Sequence, residues 1–416
     1  MSDCREFDEN NGSAVGRRAF LGTGAGAVTA AAMLGQGEST PAQEPPAADA
    51  KPSSGLIPKR MLGKTGVEVS MLNLGTWKSV GLDRILRLAW SRGLRYVDTA
   101  ASYGSEPAIG RWMKADPKIR KDLFLVTKAH PHTPRDLIAE LDKRLEQLQT
   151  DYVDLIFIHA MGDGDINKEI DWPMSREFKE TAEAIRKSGK AKFVGFSCHH
   201  PRQAEILQNA VKGGFVDAIM VRNDSWADHD APFNKALDAC HKAGVGLISM
   251  KQIAGNVKID DIAARLPELK EKGLTPYQGL LHAIWTDERF SSVCVSMRNT
   301  DQVRENIDAA NRFKPMTTAE LGRLRAACLA AGPIFCAGCD GSCSRAAGTA
   351  AELGTLTRLL TYHDHHGYRE EARRQYAALA PEARDWTGAD LEAAREACHN
   401  KLDFAALLDR VDKTLA

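Results

Sequence analysis

The 416-residue sequence has no net charge, because 55 lysines and arginines are matched by 55 aspartates and glutamates. No basic stripe interleaved with aromatics rises out of that balance, so a nucleic acid is not an expected partner. A disulfide framework is also not expected. The nine cysteines are an odd number in a long chain, and three of them crowd into one short loop, which fits metal ligation better. The only extended apolar stretch, ending near Leu34, is too short and too rich in glycine to span a bilayer as an ordinary helix. No GxGxxG follows the first strand-like run, which argues against a doubly wound dinucleotide fold. Hydrophobic residues make up 43% of the chain, enough for a packed core beyond its first residues. A soluble globular protein is expected, long enough for a barrel with an appendage.

What is present begins at the N-terminus. Gly16-Arg17-Arg18-Ala19-Phe20-Leu21 leads into the Ala/Gly-rich stretch, and a Ser/Thr/Pro/Glu/Ala composition follows from Glu38 to Ser54. Charge, apolar core and polar tail come in the order of an export leader. An arginine pair followed by a residue, Phe and Leu resembles a twin-arginine signal, with Gly16 where Ser or Thr is usual and Ala48-Asp49-Ala50 as a small-residue cleavage site. The resemblance implies an exported or periplasmic protein that folds around its cofactor before crossing the membrane. It would not be an integral membrane protein unless the signal is retained as an anchor. Residues 1–55 are expected to be signal and linker.

Ile57 to Val69 reads as a hairpin turning at Gly63-Lys64-Thr65-Gly66. Eight apolar runs of strand length follow: Met71 to Leu74, Tyr96 to Val97, Leu123 to Thr127, Val153 to Ile158, Lys192 to Phe196, Asp217 to Val221, Val245 to Met250 and Ser292 to Ser296. Helical patterns lie between them, such as Asp83 to Ser91, Glu106 to Lys114, Pro134 to Leu148 and Phe178 to Ser188. The switch from short runs to i, i+3, i+4 spacing predicts βα units with parallel strands, and eight of them predict a (β/α)8 barrel over residues 56–314. Groups just past the strand ends of such a barrel converge on one face, whatever their separation in sequence.

Three consecutive runs end in chemically useful residues: Asp98 after the second, Lys128 after the third and His159 after the fourth. Tyr103 follows on the turn that opens the next helix. A free phenol titrates near 10, and an ammonium beside it is expected to lower that value. Asp98 would hold Lys128 charged, His159 would polarise a substrate carbonyl, and Tyr103 would donate the proton as hydride arrives at carbon. Alcohol oxidation is the reverse path.

With these residues in view, the stretch from Leu56 to Arg312 resembles the aldo-keto reductase family. Aspartate, tyrosine, lysine and histidine form its catalytic tetrad, and Val97-Asp98-Thr99-Ala100, Tyr103-Gly104-Ser105-Glu106 and Leu74-Gly75-Thr76-Trp77 match its motifs. The resemblance implies NADP or NAD bound across the barrel mouth without a Rossmann domain, and a small carbonyl or alcohol as substrate. It places Gly75, Thr76, Trp77, Ser197, Lys251, Ser296, Arg298, Gln302 and Asn306 at the cofactor. Ser197 would hold the nicotinamide amide, Arg298 the phosphate and Asn306 the adenine. The sequence departs from the family at Cys198, where Asn is usual, at Met220 in place of a glutamine, and at Gln302, where many NADPH-preferring members carry arginine. Specificity is expected in loops such as Ala160 to Pro173.

Beyond Lys314 the strand pattern stops, and residues 315–416 read as a helical domain. Its loop Cys336-Ala337-Gly338-Cys339-Asp340-Gly341-Ser342-Cys343 supplies three thiols, with Cys398 available as a fourth. Thiolates on such a loop bind iron or zinc. The tail resembles the iron-sulfur extension of some aldo-keto reductases, which implies one 4Fe-4S cluster, while structural zinc on the same residues is the alternative. A cluster would make the tail an electron-transfer or docking module for a redox partner, and zinc would make it purely structural. The stretch His363-Asp364-His365-His366 is not taken as a metal site, because adjacent helical residues point different ways.

Overall fold

The structure is a computed structural model, and it describes residues 57–77, 79–222, 232–251, 262, 264–330, 336, 341–366, 369–398 and 400–416. The expected leader and Cys339 lie outside the described residues. The expected hairpin is present as β1 (Lys59–Met61) paired antiparallel with β2 (Glu68–Ser70). Eight strands follow: β3 (Leu72–Gly75), β4 (Tyr96–Asp98), β5 (Phe124–Ala129), β6 (Val153–Ile158), β7 (Ala191–Cys198), β8 (Ala218–Arg222), β9 (Gly246–Met250) and β10 (Phe290–Ser296). They pair in parallel in chain order, and β10 closes on β3 to complete the barrel. Among the described residues, no helix is long and apolar enough to cross a membrane.

The two faces of each strand divide the core in two. Tyr96, Val126, Leu155, Phe157, Ala218, Met220 and Ile248 fill the barrel interior together with Leu62 and Val69 of the hairpin. Val97, Leu125, Ile156, Ile158, Val194 and Phe196 point outward into the larger layer beneath the helices. This period of two fixes what the strand ends can do. One step beyond inward-facing Tyr96, Val126 and Phe157 come Asp98, Lys128 and His159.

The hairpin closes the opposite end of the barrel. Gly63 takes a left-handed φ of 51°, and a Cβ there would meet Gly244 O at 2.3 Å. Arg60 ties the hairpin to the barrel by donating to the carbonyls of Trp285 (2.5 Å), Phe290 (2.9 Å) and Asp287 (3.2 Å).

Gly195 leaves no room for a side chain on β7. A Cβ there would lie 1.9 Å from Ala218 O and 2.8 Å from the Phe157 ring. Gly195→Ala is therefore expected to destabilise the barrel by about 1–3 kcal/mol or more, read from the urea midpoint. A wild-type midpoint would show that the wall yields at this point.

The chain past the barrel is helical. Leu324, Ala327 and Cys328 of the helix Thr318–Ala330 pack with Leu266, Leu269 and Leu280. The later helices form a core of their own around Leu353, Leu356, Leu360, Phe404 and Leu408, which also takes in Tyr376.

Candidate active site

Asp98 and Lys128 are each 1% exposed, and the Lys128 ammonium donates to Asp98 Oδ1 and, at 2.9 Å, to Thr99 O. A pair this deep survives only because each charge has the other. Tyr103 ends the short 3-10 turn Ala101–Tyr103, and Gly104 follows it with φ 66°. The turn is pinned from both sides. Ser105 Oγ lies 2.6 Å from Thr99 Oγ1 and 2.8 Å from Thr76 Oγ1, and Glu106 Oε1 accepts from Thr127 Oγ1 at 2.6 Å. These bonds hold the phenol ring with its centre 5.2 Å from the Lys128 ammonium and 5.6 Å from the His159 ring. The four residues expected at the barrel mouth thus converge there.

Electrostatics differ from the expectation in one respect. The Tyr103 phenol is pushed well above its ordinary value of 10.0, first by burial and then by the Asp98 carboxylate and Cys294. Lys128 does not pull it down, because its charge is already matched by Asp98. Tyr103 accordingly rests as a neutral acid. His159 is held well below the ordinary 6.5 by burial and by the charges of His130, Lys128 and Lys251, so it is a neutral imidazole. Its Nδ1 is buried and, among the described residues, has no hydrogen-bond partner.

Three neighbours escape the sequence pattern. His130 stacks on His159 at 4.4 Å between ring centres, and Cys294 of β10 lies against Asp98. The third is Tyr362 of the tail, whose hydroxyl accepts from Lys251 at 3.3 Å. His130 stands only two residues past Lys128, a spacing that could have marked it. Cys294 and Tyr362 are joined to the site by contacts that no local pattern carries.

The cofactor candidates fall into two groups. At the outer end, Asn299 caps the helix Thr300–Asn311, the Arg298 guanidinium lies 5.6 Å from the Trp77 ring centre, and Gln302 Oε1 accepts from Arg298 N at 2.7 Å. Asn306 is buried on the same helix, and Ser296 registers opposite Gly75. An exposed arginine beside a helix N-terminus suits a phosphate. At the inner end, Ser197 faces the barrel interior and accepts from Ala160 N at 2.8 Å. Cys198 belongs to the outward layer and Met220 to the interior, so neither offers an amide to the nicotinamide. Thr76 braces Asp98, donating to its carbonyl at 3.0 Å. Lys251, in the left-handed region with φ 56°, is engaged by the tail.

Beside His159 opens a cleft of about 310 Å³, lined by His130 and His132 and by Asp165, Lys168 and Trp172 of the loop expected to carry specificity. Cys336, Cys343 and Cys398 of the tail are buried: Cys343 and Cys398 join its apolar core, and the Cys336 carbonyl accepts from Arg222. Among the described residues, no group of three metal-binding side chains is gathered.

Buried neutral histidines set a pH limit. His159, His199, His200 and His282 all lie below the ordinary 6.5, chiefly through burial. The unfolded chain binds protons near that pH that the native state refuses. Stability is therefore complete above pH 6.5 and falls as pH drops below it, by about 1.4 kcal/mol per pH unit for each such imidazole. Urea midpoints should fall between neutral and mildly acidic buffer, and a flat profile would contradict the burial.

Known proteins resemble this chain in sequence and in fold. The model described as the aldo/keto reductase family matches residues 73–258. The L-glyceraldehyde 3-phosphate reductase of Escherichia coli O157:H7 is 25% identical over 331 residues, covering 65% of this chain and 92% of that protein. The aldehyde reductase YPR1 of Saccharomyces cerevisiae is 31% identical over 266 residues, covering 58% of this chain and 83% of that one. Among solved structures, a thermostable aldo-keto reductase in complex with the inhibitor epalrestat shares 26% identity and a TM-score of 0.53, over 65% of this chain and 99% of that one. An aldo-keto reductase complexed with NADPH, at 20% identity and a TM-score of 0.52 over 65% of this chain and 87% of that one, shares the fold.

Proposed function

The chain belongs to the aldo/keto reductase family, and from that premise we propose that Tyr103 is the acid and base of its reaction. The protein is an NAD(P)-dependent oxidoreductase that interconverts a carbonyl and an alcohol. One observation carries the assignment: Asp98, Lys128 and His159 end three adjacent strands, and the Tyr103 ring lies over the Lys128 ammonium and against His159. Neutral His159 donates a hydrogen bond to the carbonyl oxygen without adding charge. Tyr103 gives up its proton as negative charge develops on that oxygen, and the Lys128 ammonium steadies the phenolate left behind. A bound nicotinamide supplies the hydride. Ser197 would hold its amide, with Trp77, Arg298, Gln302 and Asn306 along the rest of the dinucleotide. The cleft beside His159 would receive the substrate.

Two further parts of this reading rest on sequence. Cys336, Cys339, Cys343 and Cys398 would hold a 4Fe-4S cluster, or structural zinc in its place, and the twin-arginine-like leader would export the folded protein. Iron and acid-labile sulfide in anaerobically purified protein decide the first, and zinc alone would overturn the cluster. The reaction itself is tested with the full chain, 4-nitrobenzaldehyde and reduced nicotinamide deuterated at C4. Deuterium should appear on the carbinol carbon of the product. Its absence, with turnover intact, would overturn direct hydride transfer.

A further inference from the structure

The loop after β6 carries Asp165, Lys168 and Trp172 onto the cleft beside His159. Its first residues are fixed by the barrel. His159 N donates to Ala129 O, Ala160 N to Ser197 Oγ and Met161 N to Ser197 O, each at 2.8 Å. The chain then turns away through two left-handed residues, Ala160 with φ 53° and Gly162 with φ 99°. A Cβ on Gly162 would lie 3.0 Å from His200 Cβ, so this turn sits close against the neighbouring loop. Beyond it the loop folds on itself. The Glu169 carboxylate accepts from Gly162 N at 2.6 Å and from Asp165 N at 3.2 Å, and the residues that line the cleft follow from there.

Between the fixed start and the folded remainder stands Asp163, and its partner comes from the tail. Arg358 of the helix Leu353–Thr361 donates to Asp163 Oδ1 at 2.9 Å, with side-chain exposures of 3% for the arginine and 14% for the aspartate. The other Asp163 oxygen lies 3.7 Å from His199 Nδ1. One turn past Arg358, Tyr362 pins this end of the helix to the barrel. Its Oη lies 2.5 Å from His199 Nδ1, after β7, and accepts from Lys251, after β9, at 3.3 Å. Arg358 thus reaches Asp163 from a seat tied to two other strand ends. Its guanidinium keeps its charge at any working pH, and a charge this deep needs its carboxylate close by. The ion pair therefore dictates where Asp163 and the turn around it can lie.

We propose that Arg358 is a positioning residue for substrate binding: by holding Asp163, the helical tail sets the cleft wall formed by residues 162–172 and so how tightly a carbonyl substrate is held. The proposal rests on the reading that the cleft beside His159 receives the substrate. It separates binding from chemistry. His159, Ala160 and Met161 are anchored to β5 and β7 without Arg358, so the tetrad keeps its geometry when the ion pair is lost. The cleft wall beyond Gly162 does not.

The test uses the full chain with 4-nitrobenzaldehyde and reduced nicotinamide. Arg358→Met keeps much of the side chain's length and removes its charge. It should raise KM for the aldehyde at least about tenfold, leave kcat within about threefold of wild type, and speed amide hydrogen exchange over residues 162–169 at least about tenfold. Removing one charge strands the other, so its urea midpoint should fall as well. Asp163→Asn combined with Arg358→Met removes both charges, and its midpoint should return toward wild type while KM stays raised. A double variant with wild-type KM would make the pair a structural tie alone and overturn the proposal. Wild-type exchange over residues 162–169 in Arg358→Met would overturn it too, as would a loss confined to kcat. Trp172→Ala runs beside them as a direct change to the cleft. If neither it nor Arg358→Met moves KM, the reading of the cleft as the substrate site has failed; if Trp172→Ala alone moves it, the role of Arg358 alone is overturned.

Discussion

Tyr103→Phe is expected to lose about 10²–10⁴-fold in kcat for carbonyl reduction, or about 3–5 kcal/mol of barrier, while reduced nicotinamide binds as before. The ring is retained, so its contacts with Lys128 and His159 survive and only the acid is removed. Trp77, Arg298 and the helix Thr300–Asn311, which would carry the far end of the dinucleotide, do not depend on the hydroxyl. Burial keeps the wild-type phenol protonated at neutral pH, so the group lost is a proton donor in its working state. Cofactor fluorescence titration and initial rates separate binding from chemistry. Equal turnover in the variant would remove Tyr103 from the reaction, and equal loss of affinity and rate would make its role structural.

The tetrad was legible because a barrel converts sequence spacing into convergence. Tyr96, Val126 and Phe157 declare the inward face, and the residues two places on must then meet at the mouth. What could not be read was the electrostatic balance among them. An ammonium near a phenol suggests a lowered phenol pKa, but Lys128 is paired with Asp98 and burial dominates, so the shift runs upward. Lys251 shows a different limit. Its place after β9 suggests the cofactor, yet its hydrogen-bond partner is Tyr362, supplied by a helical segment more than a hundred residues later. Cys198 shows a third limit. In the sequence it replaces an amide beside Ser197, and only the alternation of β7 reveals that it faces the outer apolar layer.

Lys128→Met should be the most damaging single substitution on both counts, costing about 3–5 kcal/mol of stability together with activity. Removing the ammonium strands Asp98 in a site where it is 1% exposed, with Oδ2 already lacking a hydrogen-bond partner among the described residues. The carboxyl can escape only by taking up a proton, which burial already favours and which Lys128 opposes in the wild type. Asp98→Asn combined with Lys128→Met removes both charges and should recover much of the stability, because a neutral pair carries little desolvation cost. It should recover none of the rate, since nothing remains to steady the Tyr103 phenolate. Urea denaturation of the two single variants and the double variant gives the coupling energy, and initial rates on the same proteins give the catalytic side. A double variant as unstable as Lys128→Met alone would mean that the lysine stem, rather than its charge, holds the strand ends together.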